Sequence, residues 1–230
     1  GLLSSFQLHG RKNELHLYTH EGLQNIINTV IIEKVNLNFP ISYHPLPTSK
    51  SEIILEDKNV IITAFPLKHR IPVCGFKVTE KQDALKIRKE KINMLHLTIQ
   101  DILKIKKGED YIDSQGNLIP NHELTLPSAK PRSYAYCSDT LYDESIIEFI
   151  DDVDLLYHEA TFSEEHRDRA LITGHSTAKQ AASIAKKANV KKLIIGHYSV
   201  RYKDLSMLLD EAREVFPETY LAKEGLKIEI

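Results

Sequence analysis

The chain has 230 residues, of which 42% are hydrophobic and 27% charged, and its formal net charge is −2. That length supports one well-buried α/β core, and the near-neutral balance gives no global basic field, so any polyanion must meet a local patch. The two cysteines, Cys74 and Cys137, lie far apart and outside any Cys-x-x-Cys spacing, which excludes a thiolate zinc cluster and a disulfide scaffold and fits a reducing, cytoplasmic setting. No apolar run reaches the roughly 18 residues of a membrane span.

Residues 1–7 read as the tail of a helix, followed by a turn at Gly10 and a strand over 15–18. Thr19 stands where it can cap a helix whose apolar face is Leu23, Ile26, Ile27, Val30 and Ile31. Pro40, Pro45 and Pro47 make the next segment extended. Strands are expected over 52–55, 60–65 and 73–78.

The stretch 81–107 changes character, with eight lysines and arginines against three acidic residues. Ile92, Leu95, Ile99 and Ile102 share one face of a predicted helix, and Gly108 would stop it. An outward basic helix suits phosphate contact, and a solvated lysine face fits the same composition. Polar turns fill 113–122.

Beyond Arg132 strands and helices alternate: strand 133–137, helix 143–150, strand 153–157, a short helix near 164–169, and a helix over 177–188 opened by a Thr177/Gln180 capping box. Strand 191–195, helix 203–216 and two terminal strands complete the chain. The pattern implies a sheet covered by helices.

Four of these strands run into turns that carry His69, Asp139, His158-Glu159 and His197. Carboxyl ends of strands are where α/β sheets collect ligands, and imidazoles with carboxylates suit zinc. Converging, these groups would form a metal-assisted hydrolase, although three ligand groups are too few for two metals. Asp139 reads as a bridging carboxylate or a turn and N-cap residue; His69 reads as a ligand or a rim residue. Ser199, Arg201 and Tyr202 beside His197 suit a phosphate oxygen, and Arg201 could equally pair with a surface carboxylate. His175, in a glycine-hinged loop before a helix, is placed to protonate a leaving alkoxide, with Glu159 as its orienting carboxylate or as a plain salt bridge. His9, His16, His20, His44, His96, His122 and His166 carry no such context.

Taken together, Pro-Leu-Lys-His69-Arg, Ser-Asp139-Thr, His158-Glu-Ala-Thr-Phe162, Gly-His175-Ser-Thr177 and Gly-His197-Tyr-Ser-x-Arg201-Tyr resemble ribonuclease Z over nearly the whole chain. The resemblance implies a zinc endonuclease that removes the 3′ trailer of precursor tRNA, built as a four-layer αββα sandwich of metallo-β-lactamase type. It implies one such domain over 1–230 with a basic, arm-like insertion at about 81–125, two zinc ions and a homodimer. By motif match His69 and His197 would each bind one zinc, Asp139 would bridge them, His175 would donate the proton and Glu159 would partner it. Ser199, Arg201, Tyr202 and Thr177 would meet the substrate.

Two departures stand out. The family's His-x-His-x-Asp-His motif does not occur in this sequence, so the chain is expected to begin just after it, to bind zinc weakly and to be close to inactive as it stands. No Gly or Pro lies between Gly75 and Gly108, so the Gly/Pro-rich arm of many members is expected to be shortened or replaced by the basic helix. The rival readings are another phosphodiesterase of this fold, acting on small cyclic nucleotides, and a metal-free RNA-binding or dimerisation subunit.

Overall fold

The computed structural model describes residues 1–32 and 37–230. Helix α1 (Leu2–Leu8) leads through Gly10 to strand β1 (Leu15–Thr19), and helix α2 (Leu23–Ile27) continues as π-helical backbone over Asn28–Ile32. Then come β2 (Ile41–Pro45), β3 (Glu52–Glu56), β4 (Val60–Leu67), β5 (Val73–Glu80) and β6 (Lys86–Ile87). Helices α3 (Lys89–Met94) and α4 (Ile99–Lys106) precede the small strands β7 (Tyr111–Ile112) and β8 (Leu118–Ile119), helix α5 (Asn121–Leu124) and β9 (Thr125–Leu126). The remainder is β10 (Ser133–Cys137), α6 (Ile147–Ile150), β11 (Leu155–Glu159), α7 (Arg167–Thr173), α8 (Ala178–Lys187), β12 (Lys192–Gly196), α9 (Ser206–Arg213) and β13 (Thr219–Leu221). Among the described residues, no helix is long and apolar enough to cross a membrane.

The chain divides into two compact units, one of Gly1–Glu56, Ile62–Val78 and Ser133–Ile230, the other of Asp57–Ile61 and Thr79–Arg132. A seven-stranded sheet runs in the order β13-β12-β11-β10-β5-β4-β3. Strands β10 to β13 are parallel neighbours because a helix fills each crossover, whereas the short loops between β3, β4 and β5 leave room only for antiparallel hairpins. Side chains alternate along the parallel strands. Leu156, Leu193, Ile195, Ala135 and Cys137 enter one core with the buried Ala178, Ala181, Ala182, Ile184 and Ala185 of α8. Alanine on this helix face lets it lie close against the sheet, and truncating a fully buried leucine such as Leu156 would cost about 2–5 kcal/mol. On the opposite face, the Tyr136 and Tyr157 rings stack at 4.7 Å. A separate parallel pair, β1 with β2, packs Leu15, Leu17, Ile41 and Tyr43 around Leu3, Ile27 and Phe39.

Several expectations shift. The second helix starts at Leu23 behind a left-handed Gly22, with no side-chain cap, because Thr19 stays in β1 and bonds the His20 carbonyl. Of its expected apolar face only Ile27 is buried; Leu23, Ile26 and Val30 are exposed, and the Ile31 side chain lies outside the described ones. The helix expected with Ile92, Leu95, Ile99 and Ile102 on one face is two helices, broken where His96 takes a positive φ of 47°. The break turns Leu97 inward with Ile87, Ile105 and Leu124, while Ile99 is left 75% exposed. Thr98 and Asp101 then form a capping box that starts α4. The strand expected over 153–157 runs two residues later, and after β13 no second terminal strand occurs among the described residues.

Candidate active site

Asp139 lies just past β10, Glu159 ends β11, His197 follows β12, and His69 follows β4. Of five non-glycine residues with positive φ among those described, two are Asp139 (56°) and His197 (61°). A side chain with a Cβ pays roughly 1–2 kcal/mol for that conformation. Two such residues, past the ends of β10 and β12 on either side of β11, are strain of the kind that gathers at functional sites. The side chains meet: His197 Nε2 is 3.2 Å from Asp139 Oδ1. Ligand-capable atoms of His69, Asp139 and His175 all lie within 4.8 Å of one another, as do those of Glu159, His175 and His197. The His175 ring sits 5.3 Å from that of His69 and 5.2 Å from that of His197.

The fully buried Glu159 carboxylate organises the loops. It accepts from the backbone N–H of Thr140 (2.8 Å), Ser176 (3.1 Å) and Thr161 (3.3 Å), from the Thr161 hydroxyl (2.7 Å) and from His175 Nδ1 (2.7 Å). Burial alone would raise its pKa, but the bonds from His175, Thr161 and Ser176 overturn this and hold it below the usual carboxylate range. The same bond pushes His175 above the ordinary histidine value, against the downward pull of its partial burial.

These contacts also fix the tautomers of the other imidazoles. His69 Nδ1 lies 2.8 Å from the Gly174 carbonyl, which can only accept, so Nδ1 carries the proton and Nε2 keeps its lone pair. The single Thr161 hydroxyl proton goes to the Glu159 carboxylate, so at 2.9 Å the Thr161 oxygen accepts from His197 Nδ1. His197 Nε2 then faces the Asp139 carboxylate at 3.2 Å. Two imidazoles held through Nδ1 by polar partners, in one cluster with a carboxylate, are the chemistry a divalent metal takes.

Gly174 is required here. Its φ is +85°, and a Cβ built on it would stand 2.6 Å from His69 Nδ1. Gly174→Ala should therefore cost about 1–2 kcal/mol in a urea titration and weaken cobalt(II) binding by displacing the His69 ring. An unshifted midpoint together with unchanged cobalt affinity would count against this.

His158 faces away from this centre into the core, with no exposure; its Nδ1 bonds the Glu159 carbonyl and its Nε2 has no partner. Burial pushes its pKa down. The unfolded chain thus takes up a proton near pH 6.5 that the folded chain refuses, so this contribution is intact above that pH and lost as pH falls below it. Unfolding free energy should drop by up to about 1.4 kcal/mol per pH unit in that window, and His158→Gln should flatten the slope measured by urea melts at pH 5 to 7.

Other expected contacts resolve differently. Thr177 is fully buried, caps α8 and donates to Glu164 at 2.8 Å, so it is a helix cap and does not face an incoming phosphate. The Tyr202 hydroxyl accepts from the Ser163 N–H at 2.9 Å and joins Ser163 and His166, which ties down the loop and gives His166 a partner. Arg201 is exposed, lies 5.0 Å over the Phe162 ring and reaches Ser199 Oγ at 3.2 Å. Thr161 and the Gly174 carbonyl were not singled out in the sequence. A hydroxyl two residues past a strand-end carboxylate was the only local signal for the first, and none existed for the second.

No protein-family model matches the chain. A curated ribonuclease Z from Phocaeicola vulgatus is 44% identical over 231 aligned residues, covering 100% of this chain and 75% of the relative. The chain belongs to the ribonuclease Z family. Among solved structures, the short form of human tRNase Z superposes with a TM-score of 0.63 at 23% identity, covering 100% of this chain and 72% of that one. The metallo-β-lactamase fold protein YhfI from Bacillus subtilis gives 0.62 at 18% identity, covering 98% and 69%. The fold of this ribonuclease Z family member is accordingly of the metallo-β-lactamase type.

Proposed function

We propose that this chain is the greater part of a zinc-dependent endoribonuclease that removes the 3′ trailer of precursor tRNA. The observation that carries the reading is the meeting of His69, Asp139 and His197, each just past a strand, with His175 of the α7–α8 loop, in a chain 44% identical to a curated ribonuclease Z. His69 and His197 would each hold one metal through Nε2, with Asp139 between them. Bound there, zinc would acidify a water towards roughly pH 7 and neutralise charge developing at phosphorus.

His175 is reserved for proton transfer. Glu159 holds it through Nδ1, leaving Nε2 to pass a proton to the 3′ oxygen as the phosphorus–oxygen bond breaks and water supplies the new oxygen. Arg201, exposed and steadied on Phe162, offers its guanidinium to the phosphate. The lysines and arginines that line one groove of the second unit, Lys86, Arg88, Lys89 and Lys106, would meet RNA phosphates.

Three ligand groups are too few for a dinuclear centre. The 230-residue chain alone should hold zinc weakly and turn over little, and stoichiometric zinc by metal analysis would contradict this. Exposed Leu2, Leu8, Leu23, Ile26 and Val30 on α1 and α2 support a homodimer, and the buried free thiols of Cys74 and Cys137 suit the cytoplasm.

The deciding experiment presents the chain, preceded by a His-x-His-x-Asp-His segment and loaded with zinc, with a precursor tRNA and with a small chromogenic phosphodiester. Preferred cleavage of the precursor at one site supports the proposal. Turnover of the small diester alone would point to a different phosphodiesterase.

A further inference from the structure

A second cavity, of about 250 Å³, shares His175 with the centre just described. Its walls include Leu141 and Leu171, and its polar lining includes Arg167, Asp168 and Gln180. Leu171, on α7, is 68% exposed, an apolar surface set against a candidate proton donor. We propose that this cavity receives the base of the nucleotide whose 3′ oxygen leaves, and so helps to choose which nucleotide ends the product.

The inference rests on the role given to His175 above. The group that protonates the leaving oxygen must lie beside the nucleotide that carries it, so a cavity sharing that imidazole is within reach of that nucleotide. The volume falls short of the roughly 300–1,000 Å³ of sites that enclose a drug-sized ligand, which suits a single base with its sugar and phosphate outside.

The lining has what base recognition needs. Leu141, Tyr142 and Leu171 give the cavity apolar lining against which a planar ring can rest, as unstacked bases rest on apolar side chains. Gln180 has its Oε1 committed to the Thr177 N–H within the capping box, so its amide presents donors. Asp168 is exposed and offers only acceptors. A donor amide and an acceptor carboxylate on one cavity can read the edge of a base. Arg167 pairs with Glu164 at 3.2 Å and remains largely exposed, a cation at the mouth for the phosphate that follows.

The test is binding, independent of turnover. Adenosine, cytidine, guanosine and uridine are titrated separately into the 230-residue chain while methyl and imidazole NMR signals are followed. At least one nucleoside should shift Leu141, Leu171 and His175 with saturation in the millimolar range. Leu171→Asp should weaken that binding at least tenfold, whereas Ile172→Asp, at an equally exposed neighbour outside the cavity, should not. Asp168→Asn should change which nucleoside binds best. The proposal is overturned if no nucleoside shifts these signals, or if the Leu171 and Ile172 variants weaken binding equally. The nuclease reading is judged separately, on cleavage of precursor tRNA, so either can fail while the other stands.

Discussion

His175→Ala, in a chain that also carries the His-x-His-x-Asp-His segment, should cut turnover of a precursor tRNA by roughly 10²–10⁴ while zinc content stays nearly unchanged and the chain still folds. The size follows from removing one positioned proton donor. The imidazole is half-buried, bonded at 2.7 Å to a carboxylate that stays ionised, and kept basic by it. The variant loses the donor, not the fold, because Ser176 and Thr140 still tie that loop through their own backbone bonds to Glu159. The pH profile supplies the sign. A donor works in its protonated form, so activity governed by His175 should fall on the alkaline side, and the His175→Ala residual should lack that limb. Undiminished turnover would remove His175 from the chemistry.

The second large effect is on stability. Glu159→Ala should cost about 3–5 kcal/mol in urea unfolding, the range for deleting one member of a buried charged network. Five donors converge on this carboxylate, and alanine strands them in a site with no exposure. The loops after β10 and β11 and the loop between α7 and α8 would lose their common anchor together. Glu159→Gln keeps the shape but replaces an acceptor oxygen with a donor amide facing other donors, so it should recover only part of the loss. A cost below about 1 kcal/mol for Glu159→Ala would mean that water takes over the network's role.

Much of this was readable from short-range pattern. Alternating strands and helices over 133–216, the Thr177/Gln180 box and the four strand-end turns depend on spacings of a few residues, and the structure reproduces them with small shifts in the ends. Errors came where a distant partner outweighed a local preference. The apolar periodicity of 92–102 described one helix, but burial of Leu97 against Ile105 and Leu124 required a break at His96. The Thr177/Gln180 spacing showed the helix cap but not that Glu164, thirteen residues earlier, accepts from the same hydroxyl. The Thr161 relay joins residues 36 apart, and the Gly174 clamp on His69 spans 105, distances over which a linear reading has no purchase.

The left-handed backbone at Asp139 and His197 has a corollary for stability. Each position exacts a conformational penalty that glycine would not incur. Glycine at either site should therefore raise thermal robustness while removing a side chain the chemistry needs, so stability and use pull against each other at these two positions.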